Sequence, residues 1–189
     1  MGKSNISKAE KLSITKAFRS KIALDKEFTL LKPLGDFLLA PKLLEKREES
    51  IISAFHESKT FLWVLESVHD EESLIFAKDA FSKLALWLWD FQAAAQKLFG
   101  KNIVLTDFHL RNFLLTENGN VLGIDFESWE LGEKAQNAAS LLVWLDLYNL
   151  KSPQGSKELK AFLQEEILRQ YALKAEALNR LMAIEEGRI

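Results

Sequence analysis

The sequence predicts an α+β protein in which a small, strand-containing lobe precedes a larger helical lobe that one β hairpin interrupts. Three observations carry that expectation. Short apolar segments separated by charged turns occupy residues 1–57. From residue 58 onward apolar residues recur at helical spacing, and breakers are scarce, with three prolines and eight glycines in the whole chain. Between the helical stretches, short apolar runs flank Glu117-Asn118-Gly119-Asn120, a strong turn signal.

In chain order, Ser4–Ala9 and Leu12–Phe18 read as short mixed segments able to pair as a hairpin around Glu10-Lys11. Leu24, Phe28, Leu31 and Leu34 then recur at steps of three and four, which is one helix face, with Lys26 and Glu27 off it and Pro33 and Gly35 near its end. Ala40-Pro41-Lys42-Leu43-Leu44 leads into an extended stretch and Ser50–Phe55 reads as a second, with Glu45–Glu49 as a charged hairpin tip. Phe61–Val68 is a short helical segment, and Leu74–Leu98 a long one ending at Gly100. The middle of the long segment, Leu84–Trp89, is apolar nearly all round, as suits a buried central helix. Ile103–Leu105, Phe113–Leu115 and Val121–Ile124 are the short apolar runs of the interruption. Three helices follow, roughly 134–149, 156–172 and 174–186, the first two separated by Ser152-Pro153-Gln154-Gly155. Residues 1–57 and 58–189 are thus expected as two lobes of one domain.

Composition removes several function classes. Of the 189 residues, 48% are hydrophobic and 28% charged, an ordinary globular balance. Lys plus Arg (25) nearly cancels Asp plus Glu (27), a net charge of -2, which argues against a nucleic-acid partner held by global charge. The absence of cysteine excludes disulfides, thiolate zinc sites, iron–sulfur clusters and thiol nucleophiles. His56, His69 and His109 lack metal-ligand spacing, and no Gly-x-Ser-x-Gly elbow exists. Gly2-Lys3-Ser4 copies the tail of a P-loop but has no room before it for the strand and glycines. The polar start and the lack of an apolar stretch near the ~18 residues that span a bilayer lead to the expectation of a cytoplasmic protein without a transmembrane segment. Trp87, Trp89 and Phe91 read as core. The charges of the last helix, Lys174, Glu176, Arg180, Glu185 and Glu186, read as a solvated face, which makes the C-terminal helices the candidate surface for a protein partner.

The chemistry concentrates in the interruption, Leu105-Thr106-Asp107-Phe108-His109-Leu110-Arg111-Asn112 and then Gly123-Ile124-Asp125-Phe126-Glu127. A short strand delivers Asp107, a tight loop delivers Asn112, and a turn returns a second strand to Asp125. Three oxygen-bearing side chains can converge there. Mg²⁺ takes oxygen ligands, uses one or two carboxylates and leaves places for phosphate oxygens, while a further carboxylate can orient a hydroxyl for attack. Taken singly, each residue is equally an ordinary cap or turn residue. A dinuclear site from Asp107, His109 and Asp125 lacks the additional ligands such centres need and gives Asn112 no role.

These motifs resemble the catalytic core of the aminoglycoside phosphotransferase and choline kinase group, which shares the protein-kinase fold. The compact kinase-like ATPases of the Bud32 and lipopolysaccharide-kinase type are similar in their short small lobe. The resemblance implies that Asp107 is the catalytic carboxylate facing an acceptor hydroxyl and that Asn112 and Asp125 hold the Mg²⁺ ions bridging the phosphates of ATP. It implies that Leu84–Ala95 is the helix preceding the catalytic loop. Ser13–Phe18 resembles the strand whose lysine, here Lys16, reaches the α- and β-phosphates, with Glu27 as its ion-pair partner. Ile51–Glu57 would run into the hinge where backbone meets adenine, and only Gly2 stands where a phosphate-covering Gly-rich loop belongs. The sequence departs from the family at Leu105 (usually His), at Leu110-Arg111 (usually Pro-Gly), at Glu127 (usually Gly) and at Asn137 (usually Asp). The expected activity is an ATP- and Mg²⁺-dependent phosphotransfer to a hydroxyl of a small molecule, a lipid-linked sugar or a protein. The alternative is a pseudokinase serving as a nucleotide-binding or scaffolding module.

Overall fold

A computed structural model describes residues 13–148 and 153–188. The partner proposed for the first strand, Ser4–Ala9, lies outside these residues. Strand β1 (Ser13–Ala17) instead pairs antiparallel with β3 (Ser50–Ala54), which also pairs with β2 (Leu43–Lys46), giving the order β1-β3-β2. Glu45 and Lys46 pair opposite Ile52 and Ile51, so the charged tip is shorter than its composition suggests. Helix α1 (Lys21–Asp36) covers this sheet. Ser20 caps it by accepting from the Ile22 N–H at 3.2 Å, and Leu24, Leu30, Leu31 and Leu34 form its buried face. Of the face read from the sequence, Leu24, Leu31 and Leu34 are buried and Phe28 only partly so, while Glu27, expected off that face, is buried among the leucines because it turns toward Lys16.

Beyond Phe55–Glu57 the chain forms β4 (Ser58–Thr60), a strand where the pattern suggested helix. Its three residues carry too few apolar side chains to show alternation, and their pairing with β6 is long-range. Thr60 then caps the short helix α2 (Phe61–Glu66). Helix α3 (Glu71–Phe99) is the central element. Asp70 and Ser73 form a capping box at its start, and Gly100, at φ 66°, ends it in the left-handed conformation that glycine adopts without cost. Phe81, Leu84, Leu88 and Phe91 are fully buried along α3. Trp87 stacks on Phe91 at 5.3 Å and donates through Nε1 to the Leu39 carbonyl at 2.9 Å, pinning α3 to the segment after α1.

Two small antiparallel pairings interrupt the helices. β6 (Phe113–Thr116) and β7 (Val121–Gly123) form the hairpin, extended by β4. β5 (Ile103–Leu105) pairs with β8 (Trp129–Leu131), a strand without a sequence signal of its own. Helices α4 (Gln136–Leu147), α5 (Pro153–Gln170) and α6 (Ala175–Glu186) close the larger lobe, α4 against α6 and α3 against α5. Residues 153–155, expected as a separator, belong to α5, because proline is compatible with a first helical turn. Among the described residues no helix is long and apolar enough to cross a membrane. The architecture is α+β, a three-stranded sheet with one helix joined to a mainly helical lobe.

Candidate active site

The loop after β5 is built from below. Asn137, fully buried on α4, accepts from the Leu105 N–H at 2.9 Å and donates to the Ile103 carbonyl at 3.0 Å. Gln92 on α3 adds a second clamp, donating to the same carbonyl at 2.6 Å and accepting from the Ile103 N–H at 3.3 Å. An amide side chain can donate and accept at once, so Asn137 satisfies both backbone groups where a carboxylate would leave the carbonyl without that donor. Strand β5 is thereby fixed two residues before Asp107. A single 3-10 turn, Leu110–Asn112, follows with Leu110 buried beneath it.

Asn112 and Asp125 come together through the backbone. Asn112 Nδ2 donates to the Asp107 carbonyl at 3.1 Å, and the Ile124 N–H donates to the Asn112 carbonyl at 2.9 Å. Asp125 itself sits at φ 66°, in the left-handed region that Asp and Asn tolerate better than other non-glycine residues. The approach to it is tight. A Cβ on Gly123 would lie 2.5 Å from the Trp87 ring, so only glycine lets β7 pass this close to α3.

Lys16 spans from the sheet to the same point. Its Nζ lies 3.2 Å from Glu27 Oε2, 2.5 Å from Asp125 Oδ1 and 3.5 Å from Glu127 Oε2. Burial works against the lysine charge, but the hydrogen bond to Asp125 and the surrounding carboxylates outweigh it and hold its pKa above that of an ordinary lysine. For Glu27 the balance falls against the charged form. Its near-complete burial raises its pKa despite the attraction of Lys16, so the carboxylate is the strained member of the pair. The three positions are brought together by β1, α1 and the end of β7; Glu127 was singled out in the sequence only as a departure from the family.

Two cavities flank this arrangement. One, of about 450 Å³, is lined by Ile14, Lys16, Ile51, Phe55, Leu114 and Asp125, between the three-stranded sheet and the hairpin. The other, of about 500 Å³, opens at Asp107 and His109. Asp107 is half exposed, with its Oδ1 3.5 Å from His109 Nε2, and the His109 ring lies 4.4 Å from that of Trp144. The far wall of this cavity corrects the reading of α6. Glu185 was expected on a solvated face, yet it is 6% exposed and accepts from Gln136 Nε2 at 2.7 Å and Ser140 Oγ at 2.6 Å. Arg188 bridges it to Glu130, at 3.4 Å and 2.6 Å respectively. The signal was present in the spacing, because Glu185 falls on the stripe of Leu178, Leu181 and Met182. Arg180 pairs with Glu133, leaving the outer face of α6 solvated as read.

The donor set suits Mg²⁺. Asn112 and Asp125 supply hard oxygen donors, and among the described residues no three His, Asp or Glu side chains converge to hold a metal alone. Mg²⁺ takes oxygen donors of this kind and uses only one or two carboxylates. Gly2, the residue assigned to the covering loop, lies outside the described residues.

No protein-family profile matches the sequence, and no curated protein matches it. Solved structures do. The gentamicin complex of the aminoglycoside phosphotransferase APH(2'')-IIa superposes with a TM-score of 0.51 at 16% identity, over 93% of this chain and 75% of that one. The fold is protein-kinase-like. WbdD, solved with the kinase inhibitor LY294002, overlaps at a TM-score of 0.48 and 16% identity, over 98% of this chain and 44% of that one.

Proposed function

We propose that this chain is an ATP- and Mg²⁺-dependent phosphotransferase that moves a phosphoryl group to an acceptor hydroxyl. The observation that carries this reading is the convergence of Lys16, Glu27 and Asp125, residues far apart in sequence, beside a cavity walled by Ile14, Ile51 and Leu114. The apolar walls suit a purine base, and Phe55 at the passage between the lobes lines the same space. Lys16 would neutralise α- and β-phosphate oxygens, with Glu27 holding its ammonium in place. Asn112 and Asp125 would hold Mg²⁺, which when bound neutralises charge developing on the transferred phosphoryl group. Asp107, exposed to the second cavity, would accept the proton of the acceptor hydroxyl as its oxygen attacks, while its backbone carbonyl keeps Asn112 in register.

The test combines binding and transfer. Calorimetric titration of ATP with and without Mg²⁺ should show binding that depends on the metal. Asp107→Asn should keep that binding and lose phosphoryl transfer, because it removes the proton acceptor and leaves the nucleotide contacts alone. Metal-independent binding, or none, would sink the proposal; binding without transfer to any acceptor would establish the pseudokinase reading in its place.

A further inference from the structure

From the cluster around Lys16 we infer that Glu127 ties nucleotide binding to the divalent cation. It is a positioning residue that makes Lys16 unable to receive phosphate while no metal is bound, an inference that rests on the phosphotransferase reading and deepens it. Lys16 has one positive charge and three N–H donors, and three carboxylates stand around it, Glu27 at 3.2 Å, Asp125 at 2.5 Å and Glu127 at 3.5 Å. Glu27 is buried, whereas Asp125 and Glu127 are partly exposed. Among the described residues neither of these two pairs with any other lysine or arginine.

The charge that an approaching anion meets is therefore set by one ammonium against two carboxylates. With Asp125 alone the outer balance would be neutral, and Glu127 makes it negative. A polyphosphate is repelled at the lysine that should receive it. Only added positive charge reverses this balance, and a bound divalent cation is the largest local charge in such a site. With Asp125 engaged as a metal ligand, Lys16 loses its shortest contact and is free to turn to a phosphate oxygen. Glu127 makes no hydrogen bond to Lys16, unlike Glu27 and Asp125, so what it adds is charge.

The experiment follows binding of a fluorescent ATP derivative to the full chain at low ionic strength, where repulsion is least screened, with excess Mg²⁺ and with EDTA. Glu127→Gln should bind about tenfold more tightly than the parent in EDTA and within about threefold of it in Mg²⁺, the latter also showing an intact fold. A parent too weak to saturate in EDTA beside a variant that saturates is the same result. Glu127→Asp keeps the charge and should match the parent in both media. Equal affinities of parent and Glu127→Gln in EDTA, or saturation by neither, overturn the inference. So does a gain of the same size in both media, which is repulsion unconnected with the metal. A tenfold loss confined to Mg²⁺ overturns it as well and makes Glu127 a metal ligand, and Glu127→Asp behaving like Glu127→Gln shows that charge is not the cause. Mg²⁺-dependent binding by the parent in any of these cases leaves the phosphotransferase reading standing. A parent that binds in neither medium is the failure of that reading, and the inference falls with it.

Discussion

Replacing Lys16 by Met isolates the strained half of the site. Glu27 is 3% exposed and its carboxylate lies 3.2 Å from the Lys16 ammonium. Without that ammonium it must remain a buried, uncompensated carboxylate, a situation that costs roughly 3–5 kcal/mol when one partner of a buried pair is removed. Protonation provides an escape and sets a ceiling. Bringing a glutamic acid of ordinary pKa about 4.3 to its neutral form at pH 7 costs about 3.7 kcal/mol, at about 1.4 kcal/mol per pH unit. The ceiling decides the outcome, so Lys16→Met should lose about 3 kcal/mol at pH 7. Asp125 and Glu127 add little, being about a third exposed and able to turn to water. The sign of the pH dependence follows from Glu27, whose folded-state pKa is already raised by burial and rises further in the variant. A raised carboxylate pKa contributes stability that is present below the unfolded value and lost as pH rises through the folded one. The penalty should therefore shrink to about 1 kcal/mol at pH 5. Urea melts of parent and variant at pH 5, 6 and 7 measure it. Adding Glu27→Leu should recover most of the loss, since an apolar pair needs no counterion. A penalty independent of pH, or a double variant whose losses simply add, would refute the account of Glu27 as the costly group.

Asp125→Asn should change stability by no more than about 1 kcal/mol, because Asn tolerates the left-handed backbone equally well, while weakening Mg²⁺-dependent ATP binding at least tenfold, or ~1.4 kcal/mol; melts and titrations on one preparation read both. Asn137→Leu removes the partner of the buried Leu105 N–H and should cost about 1–3 kcal/mol in urea melts, with a fall in any phosphoryl transfer because β5 carries Asp107. Gly123→Ala places a methyl group 2.5 Å from the Trp87 ring and should cost about 1–3 kcal/mol, visible in the same melts, with a change in near-ultraviolet circular dichroism from Trp87.

The fold was legible wherever a segment carries its own period. The α1 stripe of Leu24, Leu31 and Leu34, the all-round apolar middle of α3 and the turn Glu117–Asn120 each announce a local structure that the packing then keeps. What escaped were β4 and β8, three residues each, whose identity as strands lies in partners far along the chain, Thr116 to Leu114 and Leu105 to Ile103. A strand of that length has no alternation to read, and only the ladder makes it a strand.

The candidate site divides along the same line. Asp107, Asn112 and Asp125 are legible because one loop and one hairpin carry all three, whereas Lys16 and Glu27 reach Asp125 only through the fold. The cavity at Asp107 is assembled from β8, α4 and the end of α6, with Glu130, Trp144, Glu185 and Arg188 contributed separately. No spacing rule links them. Glu185 nevertheless stands on the apolar stripe of α6, and a carboxylate on such a stripe is a conflict between local pattern and chemistry that burial must resolve with partners. Here Gln136, Ser140 and Arg188 resolve it, each with a polar contact to the Glu185 carboxylate.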